Sequence, residues 1–103
     1  MNAPYDLSQI ELTNSSFEID SKHKNLIKVT LSIQNNADIQ LQYPRFALSL
    51  TDNEDNLVSI RKIYPYNYLN NTNKVLDPHE EQVIKLQISP LQKNVTGYKL
   101  RLF

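Results

Sequence analysis

An all-β, two-sheet antiparallel sandwich of six to eight strands is the fold this sequence predicts, and three observations carry the prediction. Apolar residues alternate with polar ones over several short runs, the period of a strand with one buried face. No run repeats at the roughly 3.6-residue period of a helix longer than one turn. Asn, Asp, Ser and Pro separate the runs, and 103 residues are the ordinary size of one domain, so 1–103 reads as a single sandwich.

Taken in order, the N-terminal segment places Ile10 and Leu12 on one parity and Phe17 and Ile19 on the other, across Thr13-Asn14-Ser15-Ser16. A bulge or turn there would restore a common face. Ile27, Val29, Leu31 and Ile33 against Lys28, Thr30, Ser32 and Gln34 form the clearest strand. Phe46, Leu48 and Leu50 repeat the pattern, as do Ile84, Leu86 and Ile88, and Tyr98, Leu100 and Leu102 close it.

Phe46 to Tyr64 reads as a hairpin. A five-residue loop from Asn53 to Leu57 sets Val58 opposite Asp52, and Ile60 and Tyr64 opposite Leu50 and Phe46 on the buried side. Pro65 to Leu69 reads as one helical turn opened by proline. With only one glycine, asparagine is the residue expected to supply positive φ, at Asn35-Asn36, Asn53, Asn56 and Asn70 to Asn73. Tyr98, after an irregular loop from Ser89 to Gly97, is a candidate tyrosine-corner lock, weighed against an ordinary buried ring. These elements make the sandwich immunoglobulin-like, although the cysteine pair and buried tryptophan of antibody domains are missing.

Eleven Lys and Arg balance eleven Asp and Glu without a block of either sign, so the field that draws nucleic acid or an anionic membrane is lacking. The domain itself is expected to touch neither. Cysteine is absent, which removes disulfides and thiolate metal sites, and no apolar run approaches the ~20 residues of a membrane helix.

Asp52, Glu54 and Asp55 share one loop, but Leu57 stands where a calcium loop needs glycine and no bidentate glutamate follows at the required distance. They read as a solvated hairpin tip. His23 lies between Lys22 and Lys24, and His79 in the turn Asp77-Pro78-His79-Glu80; neither has a nucleophile or further ligands beside it in sequence. A single glycine, Gly97, builds neither a nucleophile elbow nor a phosphate loop. Catalysis and cofactors are therefore not expected.

Tyr64, Tyr66 and Tyr68 form the one local excess with a recognition chemistry, since tyrosine offers large amphipathic contact at low entropic cost. Either they cover an open end of the core with Leu69, or they meet an unknown protein partner. A carbohydrate platform on the same rings is the alternative. Sequons at Asn14, Asn70 and Asn94 are what an Asn-rich chain produces by chance.

The strand ending in Gln34-Asn35-Asn36-Ala37, then Tyr43-Pro44, Leu48 to Asp52, Arg61, Pro65, Tyr68-Leu69, Leu76 to Pro78, and Gly97-Tyr98 before Leu102-Phe103 follow one another in a specific order. From about Ile27 to Phe103 the chain thereby resembles a bacterial domain-of-unknown-function family, number three-four-two-six. Two positions depart from its pattern: His79 and Asn56 stand where the family prefers glycine, which puts a type II turn at His79 in question. Members typically carry this domain behind a short zinc ribbon and a single transmembrane helix. The resemblance implies the C-terminal piece of a membrane-anchored envelope protein, with the sandwich on the periplasmic side of the bacterial inner membrane. It implies no reaction, cofactor or ligand. The shared positions Pro44, Asp52, Arg61, Pro65, Tyr68, Leu69, Gly97 and Tyr98 carry over as structural candidates.

Overall fold

The structure, a computed structural model, describes residues 3–20, 26–88 and 95–103. His23, the Ser89 to Asn94 part of the loop before Tyr98, and the sequon residue Asn94 lie outside the described residues. The alternating runs become β1 (Ile10–Asp20), β2 (Leu26–Asn35), β4 (Phe46–Thr51), β7 (Glu81–Ile88) and β8 (Gly97–Leu102), joined by β5 (Leu57–Ile63) and the short β3 (Leu41–Gln42) and β6 (Val75–Leu76). One helical turn, α1 (Pro65–Tyr68), follows β5 with Pro65 at its first position, as the proline predicts. Among the described residues no helix is long and apolar enough to cross a membrane.

Antiparallel pairing arranges these strands as β1-β2-β7 in one sheet and β5-β4-β8 in another, with β3 and β6 as a separate ribbon. This is the all-β sandwich expected. Its core is the meeting of the inner stripes: Ile27, Val29, Leu31 and Ile33 of β2 with Phe46, Leu48 and Leu50 of β4, and Ile84 and Leu86 of β7. Each such side chain contributes about 1.5–3 kcal/mol by leaving water. In β1 the pairing with β2 slips between Leu12 and Asn14, so Thr13 is the extra residue that returns Phe17 to the face of Ile10 and Leu12.

The two long sides of the sandwich close differently. On one, β1 lies against β8: Phe17 stacks on Tyr98 with ring centroids 4.9 Å apart, and the Ser15 and Tyr98 hydroxyls are 2.9 Å apart. Tyr98 is thus a clasp between sheets rather than a tyrosine corner, because its hydroxyl meets a side chain of the facing sheet. On the other side, β5 opposes β7, and this side stays open.

The β4–β5 register differs from the sequence reading by one residue. Phe46, Leu48 and Leu50 pair with Ile63, Arg61 and Ser59, not with Tyr64 and Ile60. The loop does have five residues, but they are Asp52 to Asn56; Asp52 N–H donates to Asn56 O at 3.0 Å. A bulge then makes Val58 an extra residue, and it packs against the core while Ile60 turns outward, 52 % exposed. The sequence argument required an unbulged ladder with every apolar side chain inside. A bulge relaxes that requirement, and Arg61 takes the inner position opposite Leu48 because its aliphatic stem suits the core edge.

Positive φ also falls elsewhere than expected. Among the described residues it belongs to Asp55 (64°) and His79 (59°), not to asparagine. The Asp52 carboxylate accepts N–H bonds from Glu54 and Asn56, both 2.9 Å, and so builds the loop that bends at Asp55. Those bonds, from Asn56 and then Glu54, hold the Asp52 carboxyl below the usual carboxylate range. His79 adopts the left-handed conformation behind Pro78, with Glu80 N–H donating to Asp77 O at 3.1 Å, so the type II arrangement forms without glycine. Its ring Nε2 lies 2.7 Å from Asp38 Oδ1. The asparagines act instead through side-chain oxygens, which accept N–H bonds at Asn35 (from Ala37), Asn67 (from Tyr64) and Asn71 (from Asn73).

Gly97 is needed for space rather than for φ. It pairs with Thr51 at the start of β8, and a Cβ there would sit 2.8 Å from Thr51 Oγ1. Gly97→Ala would gain about 0.4–1 kcal/mol from a stiffer unfolded chain but lose about 1–3 kcal/mol to overpacking. Net destabilisation is expected in urea unfolding, with Thr51→Ala in the same chain recovering most of it; an alanine variant as stable as wild type would contradict the close approach.

Candidate functional site

Two short elements bring the aromatic residues together. The β3–β6 ribbon pairs Leu41 with Leu76 and Gln42 with Val75, and delivers Tyr43 and Pro44 into the interior, both buried. Proline after tyrosine keeps Tyr43 extended, so Arg45 emerges beyond Pro44. Opposite this segment, α1 is closed by Leu69 N–H to Pro65 O and Asn67 N–H to Tyr64 O, both 2.8 Å, and by the Asn67 side chain accepting from Tyr64 N–H.

The three sequence-predicted tyrosines divide between two tasks. Tyr68 turns inward: its ring meets Tyr43 edge-on at 6.2 Å and Phe46 at 5.4 Å, and its hydroxyl donates to Pro44 O at 2.5 Å. Tyr64 and Tyr66 turn outward and stack at 5.4 Å with 11° between planes, leaving Tyr66 66 % exposed. The core-covering reading holds for Tyr68, while Tyr64 and Tyr66 lie outside the core. Leu69 packs against the core as expected, Pro65 opens the turn, and Pro44 is fully buried as the acceptor for Tyr68.

Tyr64 continues the stack into residues that local sequence does not connect. Its ring meets Phe103 edge-on at 6.1 Å, and the Arg45 guanidinium carbon lies 4.8 Å from the Phe103 ring centroid and 5.0 Å from that of Tyr5. Lys62 Nζ adds a cation 5.9 Å from Phe103. Tyr66, Tyr64, Phe103, Arg45 and Tyr5 therefore make one ladder of rings and a cation. Backbone bonds hold it in place. Phe103 N–H donates to Arg45 O at 3.0 Å, Arg45 N–H to the Tyr5 hydroxyl at 2.8 Å, and that hydroxyl in turn donates to Phe103 O.

Arg61 and Asp52 stand apart from this ladder, at the open long side and the hairpin tip. The hydrogen bonds that assemble the ladder span sequence separations of 40 and 98 residues, so no local pattern marks Tyr5, Arg45 or Phe103. No group of three or more His, Asp or Glu that could hold a metal ion occurs among the described residues.

With the geometry in place, comparison with known proteins gives one match, to the family described as "Protein of unknown function (DUF3426)" over residues 7–102. The chain belongs to that family. No curated protein and no solved structure matches it significantly. Within this DUF3426 domain the match runs from ahead of β1 to the end of β8, so both sheets and the ladder residues Arg45, Tyr64 and Tyr66 fall inside it.

Tyr43 and Tyr68 differ in one respect that experiment can read. Tyr43 has a buried hydroxyl with no hydrogen-bond partner among the described residues, whereas Tyr68 donates to a buried carbonyl. Burial, then the carboxylates of Glu80 and Asp77, pushes the Tyr43 hydroxyl up to about 12. Burial likewise pushes Tyr68 well above the tyrosine range. Tyr68→Phe is expected to lower stability by about 0.5–1.5 kcal/mol, and Tyr43→Phe to be neutral or stabilising, in denaturant titrations. Since folding raises both values, the fold holds both hydroxyls neutral: stability is independent of their titration below about pH 10 and falls as pH climbs from there, where the unfolded chain ionises first. Tyrosinate absorbance should show these two rings ionising only with unfolding; their titration in a folded chain near pH 10 would contradict the burial.

Proposed function

We propose that this domain is a non-catalytic protein-interaction module that docks an extended segment of a partner protein on the ladder Tyr66–Tyr64–Phe103–Arg45–Tyr5. The observation that carries the reading is the stacked Tyr64–Tyr66 pair, held rigid by α1 yet exposed at its outer ring. Tyrosine and arginine dominate the energetics of protein interfaces, and rings already fixed in place lose little entropy on binding. Arg45 adds donors that can reach the carbonyls of an extended chain.

We read the strand order as immunoglobulin-like: β1-β2-β7 takes the places of strands A, B and E, and β8-β4-β5 those of F, C and C′. On the strength of the family's usual architecture, the host is a membrane-anchored protein of the bacterial envelope, with this domain on the periplasmic side of the inner membrane. The reading frame ahead of Met1 tests that part. Paired Cys-x-x-Cys motifs followed by ~20 apolar residues are expected; a stop codon there would count against anchoring.

A carbohydrate platform is the second reading, favoured by the same observation, because stacking on Tyr64 covers only one face of Tyr66. Co-purification from envelope extracts distinguishes the two when wild type is compared with Tyr64→Ala/Tyr66→Ala, a pair that leaves the structural Tyr68 in place. Loss of a protein partner supports the leading reading. Unchanged recovery removes the ladder as the docking surface, and glycan binding at millimolar concentration with no protein recovered shifts the assignment to sugar.

A further inference from the structure

The open long side of the sandwich holds a second surface, separate in chemistry from the aromatic ladder. Between β5 and β7 lies a cleft of about 360 Å³, at the lower end of small-molecule sites. Its apolar lining comes from Ile63, Leu86 and Ile88, and its charged lining from Arg61, Lys62 and Lys85. Among the described residues no carboxylate lines it.

Arg61 is the telling member. It occupies an inner-face position of β5, opposite the fully buried Leu48, where the pattern of the neighbouring pair Phe46–Ile63 would call for an aliphatic residue. An arginine partly buried at a core edge is commonly paired with a carboxylate. Among the described residues none lies within ion-pair reach of Arg61, Lys62 or Lys85. The cation therefore faces the cleft with its fork of donors uncommitted. Asn67 on the rim has its side-chain oxygen engaged by Tyr64 N–H, which leaves its NH₂ as a further donor.

We propose that this cleft binds a small amphiphilic anion, its apolar body against Ile63, Leu86 and Ile88 and its carboxylate or phosphate head on Arg61 and Lys85. The fork geometry of arginine suits either oxyanion, and a charge-assisted bond to a partly desolvated head is the stronger kind. The lining explains why both halves of the ligand are needed: the cations alone would hold any oxyanion weakly at a solvent-open edge, and the apolar floor alone has no selectivity.

Amide NMR titrations of the whole domain test this with octanoate, octyl phosphate, octanol and inorganic phosphate at constant ionic strength. Saturable shifts on β5 and β7 are expected with octanoate or octyl phosphate, and at least about 10-fold weaker binding in Arg61→Gln, as loss of a charge-assisted bond predicts. Lys85→Gln, at an exposed position, should weaken binding by a smaller factor without altering the melting curve, so the test stands even if Arg61→Gln unfolds. The proposal is overturned if neither anion saturates, if octanol or inorganic phosphate binds as tightly as octyl phosphate, or if neither variant weakens binding.

Discussion

The Asn35 side chain sits at zero exposure at the end of β2, and two segments of chain, 37–39 and 76–77, close around its amide. Its Nδ2 lies 2.9 Å from Ile39 O and 3.1 Å from Leu76 O and Asp77 O, while its Oδ1 accepts from Ala37 N–H at 2.8 Å. Its backbone N–H donates to Glu80 O at 2.9 Å. The two Nδ2 protons are shared among these carbonyls, and the bond to Leu76 O is fully buried, where an orphaned polar group costs about 1–3 kcal/mol. The amide thus fixes the β2–β3 loop and the approach to β7 around the β3–β6 ribbon. From that ribbon the order follows outward: Tyr43 and Pro44 enter the core, Tyr68 donates to Pro44 O, and Arg45 reaches the rings of Tyr5 and Phe103.

A second constraint is the asymmetry of the sandwich. Where Phe17 meets Tyr98 the two sheets are sealed by stacked rings and a hydroxyl pair. Where β5 meets β7, Arg61 replaces the aliphatic residue that would seal them. Charged residues pointing inward on edge strands discourage unwanted strand pairing, and here the same choice also leaves a cleft. The fold consequently offers two surfaces of different chemistry, one aromatic and one basic above an apolar floor, joined by Lys62, which reaches Phe103 and also lines the cleft.

Local periodicity made the strands legible, since alternation is imposed by burial of one face and needs no distant information. The bulge at Thr13 was legible for the same reason: Leu12 and Phe17 could share a face only if one residue were extra. The β4–β5 register was not, because a bulge can be inserted at Val58 at small cost and the sequence does not announce it. Composition points to asparagine as a source of positive φ, yet its worth here is the donor and acceptor on one short side chain, which Asn35 uses across the fold. Of the candidate site, Tyr64, Tyr66 and Tyr68 were visible as a local excess. Their division into an outer pair and an inner ring depends on Phe46, Pro44 and Phe103, and no spacing within the segment encodes those contacts.

The dependence of this arrangement on one amide is open to direct measurement through Asn35→Asp, which keeps the shape but sets oxygens against the carbonyls of Ile39, Leu76 and Asp77. Urea unfolding combined with native-state hydrogen exchange at neutral pH reads the outcome. A loss of about 3–5 kcal/mol, of the size of a buried uncompensated charge, together with lost protection in the β3–β6 ribbon, is the predicted result. A variant as stable as wild type, with Leu41 and Leu76 still protected, would contradict it.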